Sequence, residues 1–467
     1  MNHALMLIGW DVTGVKVVGN VQQATASYQG LLDTCPKCGA VGRLYRHGTK
    51  IVEYRDAPAF GKQFVIQCKV QRFRCRECSE TCMQPLPDMD ERRHMTKRCV
   101  EYIGQQGIRR TFADIARDVG IDEKTVRNVC QGHFKRLLSQ RKIEAPIILG
   151  IDEVNLLHRR RTVFVDIGGR RFLDMVDGMD RQRTERWLYK LPNRERVKIV
   201  AIDMCSIYRN AAALLLPGVK IVVDKWHVQD LVLKALDRTR ARAIRAANSG
   251  KLKNPRYGVR LLKTSRHNLS ARRQFMLDGI LVNSPILDAA WHAKEAFWDI
   301  WEITSRPEAE KRYDAWAKSI PAIIEPEFGA VTKTISNWRK EIFAYFDYPA
   351  TNAYTEARNR FIKDLSRAGR GYSFETIRAK VLLAEAFEVK TCPFCKGEYP
   401  ASSFRPAVVR LPGRDDIVLE GMEDWCSNCH FTMHQMEWDV HDEETDPYIP
   451  GPNSTLVGKF IEKRITR

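Results

Sequence analysis

Two aspartates occupy matched surroundings: Asp152 follows Leu149-Gly150-Ile151 and Asp203 follows Val200-Ala201-Ile202. Each apolar run with a β-branched residue reads as a buried strand, so both carboxylates fall at the same edge of adjacent strands. A lone Asp at a strand end is usually a turn residue or a helix cap. Two in such contexts suit a different chemistry, phosphoryl transfer, in which two hard cations (Mg²⁺ or Mn²⁺) roughly 4 Å apart are held by convergent oxygen ligands. A third ligand must come from elsewhere. Glu356 lies near the start of a helix whose Arg358, Arg360 and Lys363 can meet phosphates, but spacing alone leaves that choice open.

A second chemistry is carried by sulfur. Of 13 cysteines, eight form four Cys-x-x-Cys pairs: Cys35/Cys38, Cys75/Cys78, Cys392/Cys395 and Cys426/Cys429. The first two pairs are separated by 36 residues and the last two by 30, which is zinc-ribbon spacing and predicts about two structural Zn²⁺ ions. Cys82 is an alternative to Cys78, and His430 and His434 lie close to the last pair. Cys68, Cys82, Cys99, Cys130 and Cys205 read as small buried hydrophobes. Thiolate sites of this kind indicate a reducing, cytosolic compartment.

These groups need elements to position them. Strand-like runs at 50–54 and 63–72, broken at Pro58 and Gly61, predict hairpins carrying the first two knuckles. Residues 111–133 predict a helix with Ile115, Ala116 and Val119 inward, a turn at Gly120, and a second helix capped by Asp122 with Val126 and Val129 inward. That is helix-turn-helix spacing, with Glu123, Lys124, Arg127 and Asn128 outward to meet bases and phosphates; an ordinary helical hairpin has the same pattern. From Pro146, strands at 147–152, 162–167 and 171–176, a helix at 184–191 and a strand at 197–203 predict a mixed α/β sheet. A helix at 206–216 and a strand at 219–223 then place Asp224 at another strand end. Residues 228–345 read as helical, with Trp291, Phe297, Trp298, Trp301 and Trp316 forming a core. Residues 353–389 are expected to be a helical return to the sheet.

The chain has 467 residues, and 76 Lys and Arg against 57 Asp and Glu give it a formal charge of +19. That balance favours a polyanionic partner, double-stranded DNA above all, over an acidic small substrate. Residues 228–273 hold 13 basic residues against Asp230 and Asp237, which suits a phosphate backbone or, more plainly, a solvated helix face. A hydrophobic content of 44% with 28% charged residues excludes a disordered or fibrous chain. No apolar run approaches the length of a membrane span, so no membrane role and no secretion are expected.

Taken in order, the motifs GIDE, AIDM with its Asn-Ala-Ala helix, VDKWHV, and TNAYTEARNRFIKDLSRAGRGYSFETIRAKVLL resemble those of the ISL-three-type insertion-sequence transposases. RFRCREC and the helix-turn-helix follow the same layout, and the resemblance covers residues 30–390. It implies a DDE-class enzyme with a ribonuclease-H-like catalytic domain whose triad falls on Asp152, Asp203 and Glu356. Asp224 and His227 would support that site; the rival set is Asp152, Asp224 and Glu356. It further implies binding of terminal inverted repeats, metal-dependent cleavage and strand transfer, a homo-oligomer of at least two copies, and residence in the bacterial cytoplasm on DNA. The expected organisation is an N-terminal zinc ribbon (1–90), a helix-turn-helix domain (91–145), the first part of the catalytic domain (146–227), a basic helical insertion (228–345), the last catalytic helices (346–390) and a C-terminal zinc ribbon with an acidic tail (391–467). A non-catalytic, zinc-containing regulator derived from a transposase is the alternative.

Overall fold

A computed structural model describes residues 7–246 and 258–384 and, after residue 388, six strands between 389 and 460. Cys392, Cys395 and Cys429 lie outside the described residues, and Cys426 is described only as the last position of a strand. The chain divides into two compact units, residues 1–142 with 364–386, and residues 143–363 with 387–467.

The first unit opens with β1 (Trp10–Val18) and β2 (Val21–Tyr28), an antiparallel pair, followed by the long antiparallel pair β3 (Leu44–Ala59) and β4 (Lys62–Cys75). β2 runs parallel to β4, β5 (Thr81–Met83) flanks β4, and β6 (Met89–Asp90) and β7 (Met95–Thr96) extend the sheet beyond β3. The expected ribbon is therefore part of a seven-stranded sheet. Its apolar face, including Trp10, Ala24, Tyr54, Ile66 and Val70, forms one core.

Three helices follow: α1 (Lys97–Arg109), α2 (Phe112–Val119) and α3 (Glu123–Gln140). Local chemistry sets each boundary. Thr96, Thr111 and Asp122 occupy the N-caps, their side chains accepting from the amides of Cys99, Asp114 and Thr125. Gly120 ends α2 in the left-handed conformation, φ 77°, where any other residue would be strained. Ile115, Val119, Val126 and Val129 are buried, as their spacing requires.

Of the residues expected to return to the α/β sheet, α14 (Phe374–Ala384) falls in the first compact unit. This helix packs on α1 and α3. The Phe112 amide donates to the Tyr372 hydroxyl at 3.1 Å, and the fully buried Lys380 ammonium donates to the Arg110 carbonyl at 2.8 Å while facing the rings of Phe112 and Tyr372, both 5.0 Å away. Burial lowers the Lys380 ammonium to about 8. An apolar helix side is committed by whichever surface it meets, so its address is not written in its own periodicity.

The second unit is built on β8 (Ile148–Leu156), β9 (Arg159–Asp166), β10 (Arg171–Val176), β11 (Ile199–Ile202) and β12 (Lys220–Val223), in the order β10-β9-β8-β11-β12. The first three are antiparallel neighbours; β11 runs parallel to both β8 and β12. α4 (Arg181–Lys190) and α5 (Ser206–Leu215) connect the strands. Trp187 stacks on Phe164 at 3.7 Å and donates to Asp174, and the buried Tyr208 holds α5 to the sheet.

From α6 (Lys225–Ala246) the described elements are helices: α7 (Val259–Lys263), α8 (Ala271–Val282), α9 (Pro285–Trp298), α10 (Arg306–Lys318), α11 (Glu325–Asn337) and α12 (Arg339–Phe343). Its tryptophans are core: Trp291, Trp301 and Trp316 are buried, and Phe297 lies 4.8 Å from Trp316. The basic stretch is less naked than its local count suggests. Arg242 pairs with Glu327 on α11 and Arg266 with Asp278 on α8, acids outside that stretch. α13 (Ala353–Ala368) follows, and the division between the two units falls within it.

Candidate functional site

Register places three aspartates in one row. Ile151 lies opposite Ile202 and Ile202 opposite Val223, so Asp152 stands level with Asp203 and Asp224, which directly follow the last residues of β11 and β12. The expectation that Asp152 also ends its strand is corrected, because antiparallel pairing with β9 carries β8 on through Asp152 to Leu156. Strands about 4.8 Å apart bring such side chains within mutual electrostatic reach. Asp152 is buried; its Oδ1 accepts from the Glu153 amide at 2.8 Å and its Oδ2 from Asn359 Nδ2 at 2.9 Å. Asp224 is committed on both oxygens, to the amides of Trp226 at 3.1 Å and Asn352 at 2.9 Å. It therefore ties the start of α6 to the segment leading into α13. Asp203 differs, because its Oδ1 is buried with no partner.

α13 supplies Glu356, whose carboxylate comes together with Asp224 and His227: one ligand atom of each lies within 4.8 Å of the other two. Asp152 joins the two halves of the cluster, sensing the charges of His227, Glu153 and Glu356. Burial and neighbouring carboxylates push Asp203 up to about 8, and burial raises Asp152 to about 6. Glu356 is raised by burial and by Asp224. Besides Asp203 Oδ1, buried atoms left without partners include Glu153 Oε2, His227 Nε2, Asn352 Nδ2 and Asn359 Oδ1. Protein interiors seldom leave such atoms unsatisfied. A crowd of carboxylate oxygens whose protonation is favoured by mutual repulsion is the environment that a hard divalent cation relieves, and the donor set fits Mg²⁺ or Mn²⁺.

Two residues of this cluster were absent from the sequence-based set. Glu153 follows Asp152 directly, and Asn359 lies three positions after Glu356, hence on the same helix side. That helical spacing was the signal for Asn359.

A consequence concerns pH. Asp152 and Asp203 hold their protons more tightly folded than unfolded, so between about pH 4 and pH 8 the metal-free folded chain carries more protons and loses stability as the pH rises. Its thermal midpoint is expected to fall across that window, and Mn²⁺ to raise the midpoint more at the alkaline end. A pH-independent response to Mn²⁺ in differential scanning calorimetry would contradict this account of the cluster.

The sulfur site is equally well formed. Cys35, Cys38, Cys75 and Cys78 converge, with Sγ separations of 3.8 Å for Cys35 to Cys78 and 3.7 Å for Cys38 to Cys75. A tetrahedron with Zn–S bonds of 2.3 Å has edges of about 3.8 Å, so the four thiols suit structural zinc. The amides of Cys38 and Lys37 lower the Cys35 thiol to about 7, favouring the thiolate a metal requires. Cys78, not Cys82, completes the set.

On α3, Lys124 and Asn128 are exposed while Arg127 pairs with Glu123 at 3.1 Å. Gln131 and Lys135 continue the exposed stripe, at helical spacing that extends the set read from sequence. On α13, Arg358 donates to the Tyr354 hydroxyl at 2.7 Å, Arg360 lies 4.0 Å from Glu356, and Lys363 is exposed. Among the described residues, no helix is long and apolar enough to cross a membrane.

Comparison with known proteins assigns these parts. The family model described as "Transposase", of the ISL3 type, matches residues 149–381, the one described as "zinc-finger of transposase IS204/IS1001/IS1096/IS1165" matches 32–78, and the "Helix-turn-helix domain of transposase family ISL3" matches 84–133. The chain is also 24% identical over 351 residues to the "Transposase for insertion sequence element IS1001" of Bordetella parapertussis, covering 72% of this chain and 85% of that relative. Zinc finger, helix-turn-helix and carboxylate-bearing sheet thus carry, in chain order, three signatures of one family, and the chain belongs to the ISL3 family of DNA transposases.

Proposed function

We propose that this chain cuts DNA at the terminal inverted repeats of an insertion sequence and joins the freed 3′ ends to target DNA, with Asp152, Asp203 and Glu356 as the DDE triad. The observation that carries the assignment is the buried, partnerless Oδ1 of the half-buried Asp203, beside Asp152 in a row where Asp224 has both oxygens committed to amides. The sheet order, with three antiparallel strands continued by two parallel ones, supports a ribonuclease-H-like domain, and α6–α12 would be its helical insertion.

Asp152, Asp203 and Glu356 would hold two Mg²⁺ or Mn²⁺ ions, which supply charge neutralisation and a water of lowered pKa. The chain's own groups prepare the site. Asn359 and the Glu153 amide fix the Asp152 carboxylate, burial excludes bulk water, and Asp224 with His227 positions the start of α6 beside Glu356. In the first step water attacks a phosphodiester and the DNA 3′-oxygen leaves as a hydroxyl. In the second that hydroxyl attacks a target phosphate and displaces the target 3′-oxygen. No bond to protein is needed. Arg358, Arg360 and Lys363 would meet the phosphates near Glu356, and Lys124, Arg127 and Asn128 the bases and phosphates of the repeats. Joining two ends requires at least two copies of the chain.

The test is incubation of the full chain with Mn²⁺ or Mg²⁺, labelled duplexes carrying the DNA that flanks its coding sequence, and a target plasmid. Joined products are expected. Binding without cutting would favour a regulator, and cutting without joining a nuclease.

A further inference from the structure

The tip of the β3–β4 hairpin departs from its local preference. Ala59 pairs with Lys62, leaving a two-residue loop in which Phe60 (φ 52°) and Gly61 (φ 71°) both take the left-handed conformation. Asn-Gly is the favoured pair for such a turn, and an aromatic first residue is strained there. Packing does not compensate, since Phe60 is 91% exposed. A position that opposes local propensity without a packing gain is where function is expected.

The hairpin carries this ring on a rigid support. Asp56, at its shoulder, is buried and accepts from Thr96 Oγ1 at 2.6 Å and Arg98 Nε at 2.8 Å, which anchors it to the N-cap of α1. Gln63, on the returning strand, donates to the Arg117 carbonyl at 2.9 Å in the last turn of α2. Gly120, at the helix-turn-helix bend, approaches so closely that a Cβ there would lie 2.3 Å from Gln63 Oε1. The tip is thereby held beside the bend that leads into α3. Between Ile51 and Met83, Phe60 is the single exposed large apolar side chain among the described residues. Lys62 and the exposed Arg117, which pairs with Asp114 at 3.1 Å, lie on the same elements. One ring among cations is poorly suited to a protein interface, which needs a contiguous apolar patch, and well suited to a duplex, where a lone apolar side chain wedges into a base step while cations meet phosphates.

We infer that the β3–β4 hairpin is a DNA-binding wing whose Phe60 wedges against a base step in the groove next to the one occupied by α3. This rests on α3 being the helix that enters the major groove. The full chain would be tested on the duplex flanking its coding sequence, by affinity, hydroxyl-radical footprinting and permanganate reactivity of unstacked thymines. Phe60→Asn is expected to weaken binding about tenfold, the scale of one lost stacking contact, and to abolish permanganate reactivity at the footprint edge. Its thermal midpoint should rise, because Asn suits the turn. Phe60→Leu should keep most of the affinity.

Unchanged affinity and unstacking in Phe60→Asn, with binding lost in the Lys124→Ala/Asn128→Ala double variant, would overturn the wedge and leave the α3 placement standing. Binding that needs Phe60 but not Lys124 and Asn128 would overturn the placement beside α3. A lowered thermal midpoint, or an altered oligomeric state with DNA contacts unchanged, would make Phe60 a structural or protein-contact residue and equally overturn the proposal.

Discussion

Asp203→Asn is expected to abolish strand cleavage, with a loss on the order of 10³-fold or more, while affinity for end DNA changes little. The loss is large because the charge removed is the one the site leaves uncommitted: Asp203 Oδ1 is buried and makes no protein hydrogen bond. A carboxamide keeps the shape but cannot bind a hard cation or neutralise its charge. Asp152→Asn and Glu356→Gln should behave alike. Asn359→Ala should be milder, about 10- to 100-fold, because Asn359 acts by orienting Asp152. Asp224→Asn separates the two triad assignments. With its oxygens accepting from two backbone amides, Asp224 should cost stability on substitution, about 1–3 kcal/mol, with the remaining activity showing no preference for Mn²⁺ over Mg²⁺. Single-turnover cleavage with Mg²⁺ and with Mn²⁺, beside a binding measurement for each variant, decides the order. Full activity in Asp203→Asn with none in Asp224→Asn would transfer the triad position to Asp224.

The second large effect is expected from zinc. Cys78→Ser should lower the bound zinc by one ion per chain, whereas Cys82→Ser should leave it unchanged, since Cys78 and not Cys82 joins Cys35, Cys38 and Cys75. Structural zinc contributes folding free energy directly, about 10 kcal/mol or more in small domains, so loss of one ligand should destabilise the first unit severely. The damage should reach DNA binding, because β3, which begins beside the ribbon, anchors α1 through Asp56 and Thr96. Metal content by mass spectrometry, together with DNA affinity before and after chelation, tests this. A Cys78→Ser chain with native zinc content and native affinity would refute the four-sulfur site.

Much of the architecture was legible because its causes are local. Caps and turns act over three or four residues, so Asp122, Gly120 and the inward Ile115, Val119, Val126 and Val129 could be read directly. Asp152 and Asp203 were legible for the same reason, each following an apolar run whose β-branched residues become a buried strand, although β8 runs on past Asp152 because its pairing with β9 continues to Leu156. The Cys-x-x-Cys pairs were legible because tetrahedral coordination demands that spacing.

Long-range choices were not legible. Residues 353–389 read as a helical return to the sheet, and nothing local announced that Lys380 and Tyr372 would tie the last helix to the ends of α1 and α2. The basic stretch after Val228 looked unbalanced because Glu327 and Asp278, which pair with Arg242 and Arg266, lie outside it. Phe60 read only as part of a break between strands, and its exposure required knowing what the hairpin packs against.

The sequence by itself thus determined which elements form, where they stop, and which residue types are available for metal chemistry and DNA contact, since these depend on backbone propensity, side-chain period and short-range capping. Only the tertiary structure decided which carboxylates share a row, that Glu356 meets Asp224 and His227 while Asp203 keeps an uncommitted oxygen, and that a strained aromatic stands beside the helix-turn-helix bend. Strand register and helix docking are settled by contacts between residues far apart in the chain, and no local pattern encodes them.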